Sequence, residues 1–231
     1  MKKETFSSME WSYKELGLLL LLTLVIVPVG IEFLLHDFLL QIFQDRLYSG
    51  TATGFVMAVV FTLSVYSIAI KPKQLRWDAV GLRSFSGTYW KWMVVWTVVL
   101  IVASLLIVLL MEIFQIGIDN MKTESLKANL NWFTFSVGFI SAAIISPLYE
   151  EIFYRGFLYK WFRMKWGVST GLIISSIIFT IVHIPTYNTL PVNFISGIIF
   201  AWTYEKTGSV LPAMIIHGTF NGIAVILAAF A

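Results

Sequence analysis

Polar positions along this chain are gathered into clusters. Apolar residues fill long blocks such as "GLLLLLTLVIVPVGIEFLL" (17–35), and most charges fall between the blocks. A helix that crosses a bilayer needs roughly 20 predominantly apolar residues. The blocks predict seven spans, at about 17–36, 54–70, 89–114, 132–150, 169–185, 190–205 and 210–230. An eighth could occupy the amphipathic stretch 37–50, against which Asp37, Asp45 and Arg46 argue. The expected fold is an all-α, polytopic transmembrane helix bundle. The first block is longer than a signal-peptide core and lacks a small-x-small cleavage site, so it reads as a retained first helix.

Composition agrees with that picture. Of the 231 residues 58% are hydrophobic and only 13% charged, against about 25% charged in soluble domains. There is no cysteine, which excludes disulfides, thiol chemistry and Cys-based metal sites. The net charge of +3 is small and sits in loops, so it speaks to topology and not to nucleic-acid binding. With seven spans, the N-terminal tail and every second loop share a side. That side holds thirteen of the sixteen Lys and Arg residues: three in the tail, five around 71–91, four in 155–165, and Lys206. Arg46, Lys122 and Lys127 make up the other side. The positive-inside rule places the N-terminus in the cytoplasm and the C-terminus outside. Trp11, Tyr13, Trp77, Tyr89, Trp90, Trp92 and Trp161 fall near the proposed interfaces, as an aromatic belt requires. The stretch "KPKQLRWDAVGLRSF" (71–85) reads as an interfacial amphipathic linker.

Against this apolar background a few polar residues stand out. Glu150 and Glu151 are adjacent in "SPLYEEIFYRGFLYKWF" (146–162). Of the three histidines, His36 lies next to Asp37 at the end of the first span, while His183 and His217 lie in or beside apolar helices. Ionisable residues within a membrane are costly and usually face a cavity or a partner. Glu151 and Arg155 are four apart, as are Phe179 and His183, and His217 and Asn221. Residues at that spacing share a helix face. Glu150 points about 100° away from Glu151, which suggests Glu150 toward a cavity and Glu151 held by Arg155. If the helix of Glu150 continues to a turn at Gly167, Glu150 and His183 reach the same level in an antiparallel hairpin, about 25 Å below its tip. The segment "IPTYNTLP" (184–191) would then be irregular backbone at membrane depth, tolerable only where protein buries it or water reaches it.

Each feature also has a plainer reading. The two glutamates with Arg155 could mark a helix leaving the bilayer. His183 could be a core histidine on a backbone carbonyl, and His217 with Asn221 could be interhelical hydrogen-bond glue, worth roughly 1 kcal/mol per contact. Glu32 and Glu112 read as residues snorkelling to an interface. Trp96, Trp202 and the many Phe residues read as packing.

Taken in order, Glu-Glu-x-x-x-Arg (Glu150, Glu151, Arg155), Phe-x-x-x-His (Phe179, His183) and His-x-x-x-Asn (His217, Asn221) resemble the motifs of the CPBP, or Abi, intramembrane proteases. These include the type II CAAX prenyl endopeptidases and bacteriocin-processing enzymes. The resemblance covers about 132–225 and divides the chain into N-terminal transmembrane helices with the cytoplasmic linker (1–131) and a catalytic core (132–231), within one folding unit. It implies that Glu150 and His183 activate a water, that His217 and Asn221 stabilise the oxyanion, and that Arg155 with Glu151 buttresses the site. A carboxylate in a low-dielectric cavity can act as general base near neutral pH. Two histidines and a carboxylate (Glu150, His183 and His217) could equally hold a catalytic zinc with an open position for water. No His-Glu-x-x-His helix is present, so a zincin-like site is excluded.

The expected function is intramembrane endopeptidase action on a membrane-embedded or lipid-associated peptide near the cytoplasmic face, in a multi-pass protein of a bacterial plasma membrane. Nucleic acid is not expected as a partner. The alternatives are a non-catalytic membrane scaffold or bacteriocin-immunity protein of the same fold, and a small proton-coupled transporter, whose inverted repeat is not visible.

Overall fold

The structure, a computed structural model, describes residues 11–117, 121–128 and 130–230. Lys2 and Lys3, counted above in the tail, lie outside the described residues, as does the side chain of Lys122. The chain folds into helices α1 (Tyr13–Phe43), α2 (Arg46–Lys73), α3 (Gly87–Ile113), α4 (Met121–Ala128), α5 (Trp132–Trp166), α6 (Val168–Ile181), α7 (Leu190–Thr207) and α8 (Leu211–Phe230). Among the described residues there is no strand. Five helices, α1, α2, α3, α5 and α8, are long and apolar enough to cross a membrane. Large apolar side chains point outward along α3 (Val94, Val98, Leu105, Ile113), which suits a lipid surround and not water. The protein is an α-helical, multi-pass membrane protein.

A helix stands at each of the seven predicted spans, with differences in extent. The stretch 37–50 is no eighth span: α1 runs on to Phe43, the chain turns at Gln44 with φ 50°, and Asp45 caps the next helix by accepting from the N–H of Leu47 and Tyr48. Such a side-chain cap satisfies helix N–H groups that have no intrahelical acceptor. Helix α6 is 14 residues long and ends at Ile181, short of a bilayer crossing. Pro185 follows, and the residue before a proline is disfavoured in the α region. Helix α7, 18 residues long, carries Asn193, Glu205 and Lys206 and is not among the five long apolar helices. Between them, residues 182–189 form turns and a short 3₁₀ segment, Tyr187–Thr189, the irregular backbone expected there.

Helix α5 continues unbroken past the glutamates to Trp166, and the chain turns at Gly167 into antiparallel α6. At that end of the bundle four chain segments meet. Trp161 Nε1 donates to Ser12 O (3.2 Å), Lys160 Nζ to Ala79 O (2.7 Å), Arg83 Nε to Gly208 O (2.7 Å), and Val210 N to Gly81 O (2.9 Å). These are the same segments that the Lys and Arg count groups on one side.

The linker 71–85 is mostly exposed, with Lys71, Lys73, Arg76, Asp78 and Arg83 outward and only Val80 and Gly81 buried. It folds into two 3₁₀ turns, Lys71–Lys73 and Trp77–Val80, and Val80 is fully buried. Val80 settles over Gly156, where any Cβ would collide with the Val80 carbonyl. The main core gathers α1, α2, α5, α6, α7 and the start of α8 around an aromatic cluster, in which Phe61 stacks on Tyr149 (5.4 Å) and meets Phe153 edge-on (4.6 Å).

Candidate active site

The local form of α5 follows from Pro147. The Ser146 N–H bonds to Ser141 O, an i→i+5 step of a short π-helical stretch. The next donor in that register belongs to residue 147, and proline has no N–H. Ala142 O is thereby left without a helical partner. Asn221 Nδ2, on α8, donates to it at 3.0 Å. Buried backbone carbonyls are nearly always paired, so this bond fixes α8 against α5 at a defined level. One turn earlier on α8, Gly218 faces the Ala143 carbonyl so closely that a Cβ there would overlap the oxygen. Small residue and freed carbonyl together set the depth at which His217 meets the two glutamates.

The Gly218→Ala substitution is therefore expected to push α8 off α5. Overpacking typically costs about 1–3 kcal/mol. The variant should melt at lower temperature in detergent; a wild-type melt would contradict the packing described.

A second π-helical stretch, Glu151–Tyr159, is buried at every residue. Such wide turns often coincide with functional sites. Arg155 Nη1 donates to Glu151 Oε1 at 3.0 Å, and both side chains are buried. His217 Nδ1 approaches the same oxygen at 2.9 Å, and its Nε2 lies 4.0 Å from Glu150 Oε2. With Glu151 ion-paired to Arg155, Oε1 accepts, so Nδ1 of His217 carries the hydrogen. Glu151 is thus shared between Arg155 and His217, and Glu150 faces the opposite nitrogen of the same ring. Glu151 meets Arg155 as the spacing of four predicts and reaches His217 as a further partner.

His183 sits just past the end of α6. Its Nδ1 is 2.6 Å from Phe179 O, a carbonyl that can only accept, which leaves Nε2 as an acceptor. That bond matches the plainer reading of His183, yet the ring is also in the cluster. The Phe179 ring contacts His183 (4.8 Å between centroids) and, more distantly, His217 (6.1 Å), and the Arg155 guanidinium lies 4.1 Å from its centre. Arg155, His183 and His217, from α5, α6 and α8, thus meet one aromatic ring, and Glu151 and Glu150 join them through His217. Asn221 lies a turn beyond His217, one amide hydrogen committed to Ala142 O.

Among the described residues no three His, Asp or Glu side chains stand close enough to hold a metal ion. Glu150, His183 and His217 are not such a set in this arrangement.

The motifs leave α7 out of the site, but the structure does not. Phe200, fully buried, stacks on His217 with centroids 4.7 Å apart and planes 19° apart, and its ring centre is 5.0 Å from the Arg155 guanidinium. Nothing in "SGIIFAWTY" (196–204) marks this phenylalanine over the chain's many others.

Comparison with known proteins agrees with the motif reading. Residues 132–223 match the family described as "Type II CAAX prenyl endopeptidase Rce1-like". The UPF0177 protein YbdI of Lactococcus lactis subsp. lactis (strain IL1403) is 29% identical over 94 residues, 39% of this chain and 46% of that protein. The chain thus spans about half the length of the curated relative it matches. No solved structure matches it.

Proposed function

We propose, on the premise that residues 132–223 are similar to the Rce1-like endopeptidases, that this membrane protein hydrolyses a peptide bond of a membrane-associated peptide. The observation that carries the reading is the placement of His217 between two carboxylates, 2.9 Å from Glu151 and 4.0 Å from Glu150, beside the ring that also meets His183. A separation of 4.0 Å exceeds a hydrogen bond, but a water lying off the line can reach both atoms at ~2.8 Å.

In this mechanism Glu150 takes a proton from that water as its oxygen attacks the scissile carbonyl carbon. His183 offers Nε2 to the same water. The carbonyl π electrons move to oxygen, and His217 and Asn221 stabilise the resulting oxyanion. His217 does so with both ring nitrogens carrying hydrogen: Nδ1 donates to Glu151, and Nε2 is left for the oxyanion. Asn221 uses its second amide hydrogen. Preorganised donors of this kind are often the largest catalytic term. Glu150 then delivers its proton to the leaving nitrogen as the C–N bond breaks, and no covalent intermediate forms. Arg155 holds Glu151, and through it His217. The end of the bundle with the basic loops is the cytoplasmic one in this reading, which puts the cleaved bond toward that side and the C-terminus outside.

The test is cleavage of a membrane-peptide library by purified protein in liposomes. New C-termini are expected from the unmodified protein. The His183→Ala variant should lose about 10²-fold in rate with its melting temperature kept, because His183 is only half-buried at a helix end. Equal turnover by both proteins would remove His183 from the mechanism. No cleavage by either would favour the non-catalytic scaffold.

A further inference from the structure

We infer that Phe200 is a positioning residue for His217, so that the site draws on a fourth helix, α7, which none of the three motifs includes. The last torsion of a histidine side chain is broad and roughly two-fold. A ring rotated by half a turn exchanges Nδ1 with a carbon and breaks the bond to Glu151. That single hydrogen bond fixes one edge of the ring but not its plane. Phe200 supplies the plane: the two rings are nearly parallel, 19° apart, at 4.7 Å. Phe179 meets His217 edge-on at 88° and closes another side. Phe200 is itself held, being fully buried and packed beside Arg155, which in turn anchors Glu151. The edge and the plane of His217 are therefore set by parts of one assembly, Glu151–Arg155–Phe200. With its ring at 1% exposure Phe200 does not reach a substrate, so its contribution runs through the imidazole.

The stacking stands on geometry; its effect on turnover rests on the hydrolytic reading, and the experiment separates the two. Full-length protein labelled with ¹⁵N-histidine has only three imidazoles, His36, His183 and His217. In the unmodified protein His217 should give a sharp, hydrogen-bonded Nδ1–H signal, assigned as the one lost in His217→Gln. Phe200→Leu removes the ring at little cost in volume. It should broaden or abolish that signal while the His183 signal stays. The same variant should lower kcat roughly 3- to 10-fold, the range an aromatic pair contributes, with KM unchanged. Phe200→Tyr retains the ring and should restore both signal and kcat. If Leu does not give folded protein, Phe200→Met is read in its place. An unchanged His217 signal in a folded ringless variant would overturn the inference, as would equal kcat losses for Leu and Tyr. Should the unmodified protein cleave nothing, the protease reading fails, and the His217 signal alone decides the role of Phe200.

Discussion

The Glu150→Gln variant is expected to fold as the unmodified protein does and to lose cleavage by about 10²- to 10⁴-fold, the usual contribution of a general base. Glutamine keeps the size of the side chain but cannot take a proton from water. Glu150 is not part of the buried ion pair; that place belongs to Glu151. Replacing it should leave the Arg155–Glu151–His217 chain in place. A thermal melt in detergent beside a cleavage assay separates lost chemistry from lost structure. Stripping metal with a chelator before the assay should leave the rate of the unmodified protein unchanged, in keeping with the absence of a three-donor set among the described residues. A rate that falls with chelation and returns with zinc would contradict the water-only mechanism.

Replacing Arg155 should do the reverse and strike the fold first. Arg155 and Glu151 are both buried, 3.0 Å apart, and Glu151 Oε2 has no hydrogen-bond partner. Arg155→Met leaves the Glu151 carboxylate sealed in the core with only the His217 ring to meet it. Removing one partner of a buried pair costs about 3–5 kcal/mol, whereas exchanging both for apolar groups is often near neutral. The single variant should therefore melt far below the unmodified protein. A Glu151→Leu/Arg155→Met double variant should regain much of the lost stability. It should not regain turnover, because Nδ1 of His217 has then lost its acceptor. Equal melting temperatures for the single variant and the unmodified protein would show that the pair is not the anchor described here.

The helical architecture was legible because lipid leaves apolar residues no reason to alternate with polar ones, so a block such as 17–35 declares a helix directly. The pairing of Glu151 with Arg155 was legible too, since both lie on one helix at a spacing of four. Features that depend on which helices touch were not. Phe200 reads as packing until α7 is placed against α8. The proline at 147 announces a disturbed helix, but only the register of the π-helical step shows that Ala142 O is the carbonyl left over and that Asn221 takes it. The anchoring of the linker 71–85 rests on Val80 meeting Gly156, a contact between distant parts of the chain that no local periodicity encodes. The short reach of α6 was signalled by Pro185, yet the run of apolar residues up to Ile184 hid it.

Attack of a water held by this cluster on a peptide carbonyl is tested most directly by incubating the purified protein and membrane peptides in water enriched in oxygen-18. Each new C-terminal carboxylate should carry the label, and the Glu150→Gln variant should give no such products. Products whose new carboxylates form without label would contradict the hydrolytic account, as would a complete absence of new C-termini from the unmodified protein.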